Sequence, residues 1–338
     1  MRAPGLEFVV LTGFLGSGKT TLLRHFLGHP EAADTAVIVN EVGEIGLDGA
    51  ILRESGSDAP MAMLSNGCVC CQVGNDLTGT IDMLLGMERP DAAGPLQRII
   101  LETSGLSKPG PVLRQLAGLT QHRLRVVVVA TFDAVRGTRV KAFEEAVAQW
   151  AAAHRIVVTK ADVVSDERLA EAKAEVAALN PLSQIVVMND RGSAAAAAFA
   201  PLPRFSPMLD LSRVGSGTAH QRVGVCLARP SARITYDDLA AWLDNLAGAL
   251  GERLLRLKGL VRVVDHEQPL LVQSVGTLFS APRSFGVSGA NEPCFLVIIA
   301  RDLELAELNA IAPQGAFRLS NGPRVPVLQA RKAEYCGP

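Results

Sequence analysis

A few groups of residues in this chain have the types and spacing to do chemistry. The first is Gly13-Phe14-Leu15-Gly16-Ser17-Gly18-Lys19-Thr20, which matches the pattern G-x-x-x-x-G-K-[ST]. Phe8 to Leu11 ahead of it reads as a buried strand, and Leu22, Leu23 and Phe26 behind it have helical spacing. A strand, a glycine turn and a helix in that order make a loop whose backbone N–H groups cradle phosphate, helped by the positive end of the helix. In such a loop Lys19 reaches the β- and γ-phosphates and the Thr20 hydroxyl holds Mg²⁺. The set expected to contact the nucleotide is Gly13, Gly16, Ser17, Gly18, Lys19, Thr20 and Thr21.

The second group is Cys68, Cys70 and Cys71 in Asn66-Gly67-Cys68-Val69-Cys70-Cys71. Thiolates are soft ligands that suit Zn²⁺ and similar metals. In extended chain Cys68 and Cys70 share a face while Cys71 points away, so engaging all three needs a local turn and a fourth ligand from elsewhere. Buried structural cysteines are the other reading. Upstream, Asn40-Glu41-Val42-Gly43-Glu44 opens an acidic, glycine-punctuated loop in which Glu41, Glu44 and Asp48 are either metal or water ligands or a solvated turn.

Two further strand ends carry polar residues. Arg98 to Glu102 reads as a strand whose acidic end lies three positions before Gly105, the arrangement used near Mg²⁺ and the γ-phosphate. Arg155 to Thr159 leads into Thr159-Lys160-Ala161-Asp162, an [NT]-K-x-D tetrad. There Asp162 would accept from guanine N1 and N2, a donor pair that adenine lacks, and Lys160 would lie along the base. The tetrad therefore favours GTP over ATP.

The elements that must position these residues alternate strand and helix. Strands are expected at 8–11, 36–39, 98–102, 126–130, 155–159 and 184–188, with a helix over 166–179. A parallel sheet of this kind binds ligands at the carboxyl ends of its strands. Composition changes at Gly192, where an alanine run and a Pro/Ser/Gly-rich stretch read as a linker. Past it, Thr235 opens a helix lined by Leu239, Trp242, Leu243, Leu246 and Leu250. Strands near 223–228, 255–263, 270–275 and 295–299 and a helix near 303–311 complete a β-α-β-β-β-α order. The expected fold is α/β: a P-loop NTPase domain with a mostly parallel sheet over 1–190, a linker over 191–218, and a smaller α+β, ferredoxin-like domain over 219–330. Arg256, Lys258 and Arg262 alternate with apolar residues and predict one solvated strand side.

Bulk properties narrow the class. The 338 residues are 48% hydrophobic and 20% charged, with a formal charge of −1. There is no basic block for nucleic acid or anionic membrane, and no apolar window long enough to span a bilayer. The apolar stretch near Arg2 runs into the glycine loop, which cleavage as a signal peptide would destroy. A cytoplasmic location follows, where clustered cysteines favour metal over a disulfide framework.

With these motifs in order, the chain resembles the CobW-type metal-chaperone GTPases, closely through Asp162 and more loosely beyond, at His220 and Arg256-Leu257-Lys258-Gly259. The resemblance implies slow GTP hydrolysis coupled to delivery of Zn²⁺ or Co²⁺ to a client metalloprotein, and leaves a homodimer open. It implies Cys70 and Cys71 as metal ligands, with Cys68 and Glu41 contributing. Thr20 and Glu102 fall at Mg²⁺, Lys19 and Glu102 at catalysis, and Thr159, Lys160 and Asp162 at the base. A non-catalytic GTP- and metal-responsive binding module is the alternative. Three features depart from the family pattern: no arginine near Gly74, Lys108 where aspartate is frequent, and no histidine-rich run.

Overall fold

The computed structural model describes residues 6–40, 61–64, 74–88, 94–117, 119, 124–202, 222–230, 234–285, 294–312 and 315–321. Seven strands make the first sheet: β1 (Glu7–Gly13), β2 (Thr35–Asn40), β3 (Met61–Leu64), β4 (Arg98–Glu102), β5 (Arg125–Asp133), β6 (Arg155–Thr159) and β7 (Gln184–Val187). All pair in parallel, in the order β3-β2-β4-β1-β5-β6-β7. The edge strand β3 has no counterpart in the expectation from sequence.

A parallel sheet is covered on both faces, so its strands need apolar residues at consecutive positions. In β1, Phe8, Val9, Val10 and Leu11 are all buried, and alternate residues enter different cores. Phe8 and Val10 face the core built with α2 (Gly74–Gly86), α3 (Pro109–Ala117), α4 (Glu144–Ala152) and α5 (Asp166–Leu179). Val9 and Leu11 face α1 (Lys19–Leu27) and α6 (Arg191–Phe199).

Helix α6 occupies the start of the expected linker. Asp190 caps it by accepting from the Ser193 N–H at 3.0 Å, and Ala194, Ala195, Ala198 and Phe199 are buried against α1. The alanine run is thus part of the first domain's packing.

The second sheet is antiparallel and comprises β8 (Val223–Pro230), β9 (Leu254–Val261), β10 (Leu270–Val275), β11 (Leu278–Phe279), β12 (Arg283–Ser284), β13 (Phe295–Arg301) and β14 (Phe317–Asn321). Its central run is β14-β8-β13-β9. With α7 (Tyr236–Leu250) linking β8 to β9 and α8 (Leu305–Ile311) linking β13 to β14, this is the split β-α-β order of a ferredoxin-like layer, with β10 added at one edge. Thr235 and Asp238 form the capping box of α7, and the five expected apolar residues of that helix are its buried ones.

Helices α7 and α8 cover one face of this sheet, while the other face, with Val223, Leu255, Val297 and Ile299, joins the core of the first domain. The solvated side expected for Arg256, Lys258 and Arg262 is therefore found only at Arg262. Arg256 is 2% exposed and Lys258 is half-buried, because their side of β9 meets the first domain. Among the described residues no helix is long and apolar enough to cross a membrane.

Candidate nucleotide site

The glycine loop joins β1 to α1 in the middle of the sheet, where β4 and β5 flank β1 on either side. Gly13 ends the strand with φ 143°, and a Cβ there would fall 2.0 Å from the Thr131 hydroxyl. Only glycine lets the strand turn so close to its neighbour. No side chain caps α1, whose preceding residue Gly18 has φ 93°. The N–H groups of its first turn remain available to an anion.

Three strand ends close on this loop. From β4, the buried Glu102 accepts from the Thr20 hydroxyl at 2.7 Å. From β5, the Thr131 and Ser17 hydroxyls lie 2.6 Å apart. From β6, Thr159 donates to the Ser17 carbonyl at 2.8 Å. The Lys19 ammonium donates to the carbonyls of Gly13 at 2.8 Å and Phe14 at 3.4 Å. Thr20 and Glu102 are thus brought together, two hard oxygen donors on the residue that follows Lys19 and on the end of β4, a donor set that suits Mg²⁺.

The tetrad follows directly from β6. Lys160 has φ 56° and donates to Asp133 at 2.6 Å, while Asp162 is exposed on a single turn at Ala161–Val163. Thr21 is exposed on the first turn of α1. Glu41, Glu44, Asp48, Cys68, Cys70, Cys71 and His220 lie outside the described residues. Among the described residues no cluster of metal-ligating side chains is found. The described cysteines are Cys226 and Cys294, and burial pushes the Cys226 thiol up to about 11.

Several residues at this edge escape a reading by motif. Asp133, 3% exposed, accepts from Lys160, from the Arg136 Nε at 2.9 Å and from the N–H groups of Val135 and Arg136. Burial alone would raise its carboxyl, but the hydrogen bonds of Lys160 and Arg136 outweigh it and hold the carboxyl below its ordinary value. Gln149 on α4 is buried and donates to the carbonyls of Gly105 at 3.1 Å and Ser107 at 2.9 Å, fixing the segment after Glu102. Thr131, Asp133 and Arg136 follow from one signal: they stand at the carboxyl end of a central strand.

Residues 7–187 match the family model described as the CobW/HypB/UreG nucleotide-binding domain, and residues 223–311 match the cobalamin synthesis protein cobW C-terminal domain. The chain is 30% identical over 291 residues to the zinc chaperone YjiA of Escherichia coli, covering 82% of this chain and 88% of that protein. It is 30% identical over 349 residues to the zinc chaperone CobW of Pseudomonas aeruginosa, covering 90% and 89%. In fold it is similar to the Zn(II)-bound YjiA GTPase from Escherichia coli, with a TM-score of 0.61 at 23% identity over 91% of this chain and 98% of that one.

Proposed function

Because this chain is a GTPase of the CobW/HypB/UreG family, we propose that it is a metallochaperone that couples GTP hydrolysis to handing Zn²⁺, or Co²⁺, to a client metalloprotein. The observation that carries the nucleotide half is the contact of Thr20 with Glu102 beside Lys19, at the mouth of the glycine loop. The metal half is supported by the thiols of Cys68, Cys70 and Cys71 and by relatives named as zinc chaperones.

In this reading Lys19 binds the β- and γ-phosphates and the N–H groups of the loop and of α1 hold the rest. Thr20 and Glu102 would hold Mg²⁺, which when bound neutralises charge on the phosphates. Glu102 also orients the attacking water. Thr159, Lys160 and Asp162 select guanine. The metal ion is cargo, seated by Cys70 and Cys71 with Cys68 and Glu41. The γ-phosphate orders the loops around Glu41 and Glu102 and so completes the thiolate seat; hydrolysis loosens it.

Such coupling is reciprocal: if GTP tightens metal binding, the metal tightens GTP by the same factor. Competition with a chromophoric chelator, in a non-hydrolysable GTP analogue and in GDP, should give a higher Zn²⁺ affinity in the first. Cys70→Ala with Cys71→Ala should remove that Zn²⁺ affinity and leave nucleotide binding intact. Equal affinities in the two nucleotide states would dismiss the switch.

A further inference from the structure

We propose that Arg136 supplies a second cation to the triphosphate from within the chain, a charge that stabilises the transition state of hydrolysis alongside Lys19. The inference rests on the nucleotide reading above.

The chain turns sharply after β5, and Arg136 points back across the turn. Its Nε is held by the Asp133 carboxylate at 2.9 Å, and that same carboxylate takes Lys160 at 2.6 Å. Its Nη2 donates to the carbonyl of Leu15 at 2.8 Å. A Cβ built on Gly16, where φ is 65°, would come within 2.8 Å of the same nitrogen. The guanidinium therefore lies against the crest of the glycine loop, on the two residues between Phe14 and Ser17. Lys19 and Arg136 between them cover three successive carbonyls, those of Gly13, Phe14 and Leu15.

Both cations thus lie on the glycine loop itself, the loop whose N–H groups are expected to face the phosphates. The Arg136 side chain is 45% exposed. A guanidinium anchored through Nε to a buried carboxylate keeps its outer nitrogens oriented at little entropic cost. Charge accumulating on the transferred phosphoryl group is what such a preoriented donor stabilises.

A latch would explain the Leu15 contact equally well, so the test must separate charge from tethering. Arg136→Gln keeps an N–H donor for the Leu15 carbonyl and removes the charge; Arg136→Lys keeps the charge. The full chain is assayed for GTP turnover, for GDP affinity with a fluorescent analogue, and for formation of the GDP–aluminium fluoride complex. Arg136→Gln should lower kcat on the order of 10²-fold with little change in KM or GDP affinity, and should fail to trap aluminium fluoride. Arg136→Lys should recover part of the turnover.

Turnover of Arg136→Gln within about threefold of wild type would overturn the proposal and leave Arg136 a latch. Loss of GDP binding in that variant in step with turnover would overturn it too, by making the residue part of the loop's framework. If the wild-type chain binds no GDP, the nucleotide reading itself is gone, an outcome distinct from both.

Discussion

Thr159 brings its hydroxyl to two carbonyls, Ser17 at 2.8 Å and Phe132 at 3.2 Å, and so ties the end of β6 to the glycine loop. It is 2% exposed, so neither carbonyl finds water if the hydroxyl is removed. Thr159→Val keeps the shape and deletes the donor. It should cost about 1–3 kcal/mol, the penalty of a buried acceptor left unsatisfied. Urea unfolding measures that loss, and GDP affinity should fall with it because the loop is no longer held; Thr159→Ser should restore most of both. The tetrad was legible in sequence because its three polar types recur at fixed spacing. The tie to Ser17 was not, since 142 residues separate the partners and spacing along the chain carries no information about them. Asp133 falls under the same limit: its carboxylate takes the Lys160 ammonium from 27 residues away, a partner that spacing does not announce.

At the scale of elements, strands dense in Val and Ile announce themselves, and every first-domain strand of that kind stands where the sequence predicts it. The alanine run is different. Five consecutive alanines present no contrast between a buried and an exposed face, so a search for periodicity finds nothing and composition suggests a linker. In the fold, Ala194, Ala195 and Ala198 are the buried stripe, and Phe199 packs on Phe26 with ring centroids 4.4 Å apart. Small side chains allow α6 to lie close to α1. Phe199→Ala should destabilise the protein by about 3–5 kcal/mol, the range for emptying a buried aromatic site. A chemical-denaturation midpoint that does not move would mean that α6 contributes no packing. The strand β14 was missed for a related reason: Phe317-Arg318-Leu319-Ser320-Asn321 is a short edge strand of mixed character.

At the scale of the whole molecule, the two sheets meet across a charged joint. Glu144 at the start of α4 accepts from Lys108 at 3.2 Å, from Arg301 at 3.5 Å and from Arg222. Lys108, the position at which the family favours aspartate, thus takes part in the ion-pair network that reaches the second domain. Deeper in, Arg256 has no hydrogen-bond partner for Nε or Nη1 among the described residues, and burial pushes it down to about 9. Burial, with Arg256 and Arg283 nearby, brings Lys258 to about 8. Beside them His154 accepts from the Val128 N–H at 3.0 Å. Burial, then Arg256, Lys258, Arg125 and Arg155, hold its imidazole well below the ordinary 6.5. The folded protein therefore keeps His154 neutral at a pH where the unfolded chain would bind a proton. Stability from this group is complete above about pH 6.5 and declines as the pH falls through it, by at most about 1.4 kcal/mol per unit. His154→Asn should flatten the fall in Tm between about pH 7.5 and about pH 5.5; an unchanged slope would assign the acid sensitivity elsewhere.

The joint also decides how far the halves are interchangeable parts. The two family segments are separate in sequence, at 7–187 and 223–311, yet Leu255, Val297 and Ile299 share a core with Val112, Leu116 and Trp150. A chimera that grafts a relative's second half onto this first half would set foreign side chains against Lys108, Glu144 and His154. Such hybrids would need the matching seam transplanted with them, and the natural chain should melt in one step.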